Sequence, residues 1–338
     1  MKIGKWMMAG VLVSALLLPG AVTQAQIREH NLKFALQPVK ESAQSRGSQW
    51  FADRMKELSN GKIKITVYPG AVLGSDVAVF SAMQGGTIDF TLTSTGNLGG
   101  HDKALNMFDL PFLFNNEQEA DFIADGPVGK KVAAKLIPKG LLVISYAELG
   151  FQQINNSKHP ITKVEDFADL KLRSQTMPLV MDTIKALGSA AVPMNFGELY
   201  SALEQKVVDG GANPYDNIAS QKFYEVTKYL SVTNHSYSIM AFLMSKKTWD
   251  GLNADEQKLI SQAALEAGKE ERRLNREANN KRYEELKKLM TVNVVSEQER
   301  ARMREKIKSV YDKWVPEFGS ELYNELQAEL AKYRSGKK

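Results

Sequence analysis

The 338-residue chain has no cysteine and only four histidines, and its apolar runs are all too short to cross a bilayer. Without cysteine there is no disulfide framework, no thiol for lipid anchoring and no sulfur ligand for a metal. The histidines, His30, His101, His159 and His235, stand at none of the spacings from which metal sites are built. Gly-x-Ser-x-Gly, His-Glu-x-x-His and P-loop patterns are absent, so no common nucleophile, zinc-hydrolase or nucleotide site is written in the chain. No block of Lys and Arg interleaved with aromatics marks a nucleic-acid surface. No metal or cofactor is expected.

The first 25 residues read as a cleavable secretory signal. Lys2 and Lys5 form the positive n-region, Trp6 to Leu18 the apolar stretch, and Thr23-Gln24-Ala25 ends in a small residue suited to signal peptidase. Cleavage after Ala25 would leave a soluble periplasmic chain of 313 residues beginning at Gln26, with the formal charge reduced from +5 to +3. That length, with 43% hydrophobic residues overall, exceeds what one core normally supports and implies two lobes with a cleft between them.

Strand and helix patterns alternate along the chain. Asn31 to Leu36, Lys62 to Tyr68 and Ile88 to Thr93 read as strands, separated by helical segments at Ser42 to Leu58 and Val77 to Gln84. After a strand at Leu141 to Tyr146 the alternation repeats, with strands at 171–173, 190–193 and 207–210 and helices at 177–187 and 197–205. Such alternation predicts an α/β fold with largely parallel sheets, in which ligands sit beyond the carboxyl ends of the strands. Ser238 to Ser245 reads as a buried strand. Asn253 to about Met290 reads as one long polar helix, N-capped by Asn253 and supported by Glu277/Lys281 and Glu284/Lys288 pairs. At about 1.5 Å per residue it would be some 55 Å long and run across both lobes. Ser296 to Tyr333 is amphipathic, with Met303, Ile307, Val310, Tyr311 and Trp314 on one stripe, and is expected to pack onto a lobe rather than form a dimer.

The candidate binding chemistry centres on Arg173, in Lys171-Leu172-Arg173-Ser174, followed forty residues later by Asn213-Pro214. A planar guanidinium at a strand end, with an amide brought up from a distant turn, suits bidentate capture of a carboxylate. Gln37, Ser94, Thr95 and Asn97 lie at strand ends of the first lobe, where hydroxyls and amides suit a hydroxylated ligand or cap their own loops. Tyr215 and Tyr237 are weaker candidates, Asp209 reads as a turn support and His235 as a structural hydrogen-bonder.

Taken in order, Tyr68-Pro69-Gly70-Ala71-Val72-Leu73-Gly74, Leu110-Pro111-Phe112-Leu113-Phe114, Leu170-Lys171-Leu172-Arg173, Phe196-Gly197-Glu198-Leu199-Tyr200, Asp209-Gly210-Gly211-Ala212-Asn213-Pro214 and Gln221-Lys222-Phe223-Tyr224-Glu225-Val226 carry a family resemblance. The chain resembles the solute-binding component of tripartite ATP-independent periplasmic (TRAP) transporters, of the C4-dicarboxylate-binding type, over essentially the whole mature length. The resemblance implies a two-lobed periplasmic binding-protein fold that closes on its ligand, with a long helix spanning both lobes. It assigns the carboxylate clamp to Arg173, a carboxylate-facing amide to Asn213 and a ligand-packing aromatic to Phe196. It departs at Gln152, where the family usually carries Arg and sometimes Lys, which weakens the case for a second carboxylate being neutralised there. Ser94 and Asn97 stand where the sialic-acid-binding branch has Glu and Arg, which argues against sialic acid.

The expected function is therefore a non-enzymatic, monomeric periplasmic receptor that delivers an organic acid to integral-membrane permease subunits, driven by an ion gradient. A C4-dicarboxylate comes first on family grounds, with sugar acids and hydroxy or keto monocarboxylates as alternatives. A carboxylate-processing enzyme using Glu148, Asp209 or His235 is the rival class, and a sensory receptor a third reading. The expected lobes are residues 26–150 with about 239–278, and residues 151–238 with about 279–333.

Overall fold

A computed structural model describes residues 26–336, so the signal-peptide segment lies outside the described residues. Eleven strands form two sheets among those residues. The first contains β1 (His30–Ala35), β2 (Ile63–Tyr68), β3 (Phe90–Ser94), β4 (Leu141–Phe151) and β10 (Tyr237–Ser245), in the order β2-β1-β3-β10-β4. The second contains β5 (Gln153–Asn156), β6 (Lys171–Ser174), β7 (Ala190–Pro193), β8 (Gly210–Asn213), β9 (Tyr229–Val232) and β11 (Thr291–Val294), in the order β11-β9-β5-β8-β6-β7. This is the expected two-lobed α/β architecture.

Local sequence explains most elements. In β2, Ile-Lys-Ile-Thr alternates buried and exposed positions, as a half-covered strand must. The helix Ala43–Leu58 starts at Ser42, whose hydroxyl accepts from Ser45 N, and is followed by Asn60 and Gly61 at positive φ. Its Phe51 enters an aromatic cluster with Phe34, Phe90 and Phe242, the closest ring centroids lying 5.2 Å apart. A smaller core under the second sheet includes Leu199, Leu203, Ile218, Phe223, Leu230 and Leu286.

Each sheet contains one strand inserted against the parallel grain. β10 is antiparallel to both β3 and β4, and β5 is antiparallel to both β8 and β9. These reversals arise where the chain changes sheet. Gln152 alone separates β4 in the first sheet from β5 in the second, and residues 233–236 return the chain from β9 to β10. The strand expected at 207–210 forms three residues later, as β8. Lys206 adopts a positive φ and Val207 N donates to Ala202 O, which ends the preceding helix and delays pairing with β5 until Gly210.

The long helix spans Ala254–Leu289, 36 residues, with Asn253 and Glu256 forming a reciprocal capping box. It packs on Ala43–Leu58 and β4 at the first sheet and on the helix Tyr215–Ser220 beside the second. The anticipated surface pairs are replaced: Glu277 pairs with Arg273 at 2.6 Å and Glu284 with Lys287 at 2.7 Å. The C-terminal segment folds into Glu297–Lys306, Lys308–Phe318 and Ser320–Arg334. The last of these was expected with the second lobe, but packs against Glu117–Asp125 on the first-lobe side, where Arg334 holds Glu119 at 2.7 Å. Trp314 meanwhile donates to Asp182 beside the second sheet, so the tail ties both lobes together.

Candidate functional site

One cleft between the two sheets gathers all seven sequence candidates: Gln37, Ser94, Asn97, Gln152, Arg173, Phe196 and Asn213. They arrive from six separate places in the chain, and most sit at or just beyond strand ends. Gln37 follows β1, Ser94 ends β3 and Asn97 follows it. Arg173 lies in β6, Asn213 ends β8 and Phe196 lies beyond β7. Gln152 occupies the junction between the sheets.

Arg173 is 5% exposed. Its Nε and Nη2 donate to Met194 O at 3.2 and 3.0 Å, and its guanidinium carbon lies 5.7 Å from the Phe196 ring centroid. Burial lowers its pKa to about 10, opposed by the charges of Asp76 and Glu198, so it remains a cation at neutral pH. Its Nε edge is held by a carbonyl and its face lies near an aromatic ring, and its remaining N–H groups have no protein acceptor among the described residues.

Asn213 is also buried, and its Nδ2 donates to Asn155 Oδ1 at 3.0 Å, which fixes the amide beside β6. Gln152 Nε2 donates to Gly150 O at 3.1 Å. On the opposite wall, Gln37 Nε2 donates to Gly74 O at 2.8 Å and Ser94 Oγ accepts from Gly96 N at 3.3 Å. Asn97 Nδ2 donates to Asp76 Oδ2 and to Thr93 Oγ1, both at 3.1 Å.

Asp76 is the functional candidate that sequence reasoning missed. It opens the helix Asp76–Gly85, lines the cleft, and accepts from Thr93 Oγ1 at 3.0 Å as well as from Asn97. Burial raises its pKa to about 6, against the lowering effects of the Thr93 hydrogen bond and the Arg173 charge. An acid in a helix's first turn is ordinarily explained by the helix dipole, which hid it in the sequence. Asn217, Gln175, Thr176 and Asn195 add polar lining, while Leu92, Leu149, Met194 and Met240 add apolar surface.

The weaker candidates lie elsewhere. Tyr237 is buried in the core, Tyr215 packs on Tyr283 with centroids 4.9 Å apart, and Thr95 turns its hydroxyl to Asp109 and Ile239 O. Asp209 accepts from Lys171 N at 2.7 Å and supports the turn. His235 is buried, its Nδ1 2.8 Å from Thr233 Oγ1, and burial lowers its pKa to about 4. Glu148 sits beneath the long helix, paired with Arg276 at 2.6 Å. None of the three acid–base candidates lines the cleft.

Residues 35–317 match the family described as bacterial extracellular solute-binding protein, family 7. The chain belongs to this family. It is a TRAP solute-binding protein, a receptor of the kind that binds small acids and works with membrane permeases. The C4-dicarboxylate-binding periplasmic protein of Rhodobacter capsulatus is 30% identical over 95% of this chain and 98% of its own length. The sugar-acid-binding protein of Advenella mimigardefordensis, crystallised with galactonate, is 36% identical with a TM-score of 0.89, covering 90% of this chain and 99% of that one. A TRAP periplasmic solute-binding protein of Ochrobactrum anthropi, whose C-terminus occupies its ligand pocket, is 42% identical with a TM-score of 0.82, covering 92% and 97%. No helix among the described residues is long and apolar enough to cross a membrane.

Proposed function

We propose that this TRAP solute-binding protein is a monomeric, non-enzymatic periplasmic receptor, released by cleavage after Ala25, that holds an organic acid by its carboxylate on Arg173 and passes it to the permease. The observation that carries this reading is the buried Arg173 guanidinium, bonded to a single carbonyl and facing the interlobe cleft. A bidentate carboxylate there would add charge-assisted hydrogen bonds in a site already partly dehydrated, where they are strongest.

The remaining candidates take supporting roles. Asn213 supplies an amide beside the carboxylate, and Phe196 walls the guanidinium and the ligand's apolar edge. Gln152 adds a neutral donor at the junction between sheets. Gln37 and Ser94 approach from the other wall, and Asn97 acts through Asp76, which it hydrogen-bonds. Contacts from both walls are what closure requires, because a ligand shifts an open–closed equilibrium only by binding the closed state better.

The test is calorimetry of the mature protein, unfolded and refolded to remove any co-purified acid, against a panel of organic acids, alongside Arg173→Ala. We expect at least one acid to bind the wild type and the variant to lose about 2–5 kcal/mol of affinity. Wild-type affinity in Arg173→Ala would refute the anchor, and chemical conversion of the bound acid would refute the non-enzymatic reading.

A further inference from the structure

A polar contact joins the two sides of the molecule next to the cleft, through a residue that does not line it. Asp216, in the helix Tyr215–Ser220 on the second-sheet side, is fully buried. Its Oδ2 accepts from Ala43 N at 2.8 Å, and Ala43 opens the helix Ala43–Leu58 that packs on β2 of the first sheet. That helix already has a cap in Ser42, whose hydroxyl serves Ser45 N, so the Ala43 N–H is left for an acceptor from elsewhere. The acid that takes it comes from the opposite sheet. Asp216 is itself steadied by the helix that spans both sheets: its N donates to Asn279 Oδ1 at 3.0 Å, and its Oδ1 lies 3.6 Å from Arg282 Nε. Asn213 and Asn217, three residues before it and one after, both line the cleft.

From this geometry we propose that Asp216 is an interlobe latch, a positioning residue that slows ligand escape by holding the N-terminus of the helix Ala43–Leu58 only while the cleft is shut. The proposal rests on the receptor reading above. A carboxylate at a helix N-terminus gains from a free N–H and from the helix dipole together, and such a charge-assisted bond is roughly twice as strong as a neutral one. Its two partners are anchored separately, Ala43 on the first sheet and Asp216 at the end of β8 in the second. Parting the sheets hands both groups to water, so the bond favours the shut form alone and shifts the open–closed balance by its own strength. Pro214 stiffens the short link between Asn213 and Asp216, so a ligand that seats Asn213 also brings the acid to Ala43 N.

The experiment measures association and dissociation rates by surface plasmon resonance for refolded wild type, Asp216→Asn and Asp216→Ala. The probes are erythronate, galactonate and succinate, together with any acid that denaturation of the purified protein releases. For an acid that binds the wild type, dissociation from Asp216→Ala should be about tenfold faster or more. Asp216→Asn, whose amide oxygen still accepts, should show a smaller rise, and association should stay within about twofold in both. The ligand-free variants should melt close to the wild type, because the bond is not made in the open form. Wild-type dissociation from a folded Asp216→Ala overturns the latch, as does an affinity loss carried by association alone. A large fall in the ligand-free melting temperature of both variants, or failure of both to fold, makes the contact part of the fold rather than of closure and overturns it too. No acid bound by the wild type, with none released on denaturation, instead overturns the receptor reading beneath it.

Discussion

Arg173 and Gly211 stand side by side in register on the parallel strands β6 and β8, and a Cβ on Gly211 would lie 3.6 Å from Arg173 Cβ and 3.4 Å from Asn213 Nδ2. The guanidinium stem and the Asn213 amide thus converge beside Gly211 on one patch of the cleft. Position 210 is tighter: a Cβ there would run into the Asn155 carbonyl and stand 2.7 Å from Asn156 Cβ across the β5–β8 pair. Gly210→Ala should therefore destabilise the fold by about 1–3 kcal/mol or more. Gly211→Ala, with only ordinary van der Waals contacts, should fold nearly as well as wild type. Denaturant unfolding of the two variants checks the contrast, and equal stabilities would contradict it.

Arg173→Met separates binding from stability. The buried guanidinium has no protein carboxylate partner at ion-pair distance, so an apolar side chain of similar length should leave the ligand-free protein unchanged or about 1–4 kcal/mol more stable. The same variant should lose the ligand-induced thermal shift. A ligand-free protein markedly destabilised by the change would show that Arg173 is mainly structural.

Asp109 gives the stability a defined pH dependence. Burial raises its pKa from 3.8 to about 7, outweighing the hydrogen bonds from Ser238 Oγ and Thr95 Oγ1 that favour ionisation. A carboxyl with a raised folded pKa stabilises the fold fully below the unfolded value of 3.8, and that contribution is lost as pH rises through about 7. Asp109→Asn should therefore gain stability relative to wild type as pH increases from about 4 to about 7. Chemical denaturation at several pH values measures the difference, and a constant offset would contradict the assignment.

Glu256 works in the opposite sense. Burial alone would raise its carboxyl, but hydrogen bonds from the Arg28 side chain, from Asn253 N and Arg28 N, and from His30 hold it well below the usual carboxylate range. Its contribution is present above the unfolded value of 4.5 and is lost as pH falls through the depressed folded value. Glu256→Gln should lower the melting temperature at pH 7, and the deficit should shrink below about pH 4.5. A deficit that grows in acid would exclude this role for the Arg28–Glu256 anchor.

Much of the cleft's lining was legible because its parts are local. Arg173 sits in a short strand beside a turn, Asn213 precedes Pro214, and Ser94 and Asn97 follow a strand, so each declares its place through period-two patterning and turn chemistry. Asp76 was not legible. In one dimension it is an acid in a helix's first turn, and only the approach of β6 from the other sheet sets Arg173 across from it. The long helix was similarly clear in extent and capping but not in its ion pairs. Spacings of three and four are equally reachable on a helix surface, and the local rotamers chose Arg273–Glu277 and Glu284–Lys287.

The amino-acid sequence by itself determined the alternation of strands and helices, the long capped helix, and the strand-end residues from which a carboxylate site can be assembled. These follow from periodicity, capping and donor chemistry within a few residues of each other. The tertiary structure alone decided the antiparallel insertion of β5 and β10, the seating of the last helix on the first lobe and the placing of Asp76 opposite Arg173. Those outcomes depend on which distant surfaces bury one another, and local patterning does not encode which partner a strand edge or helix face will meet.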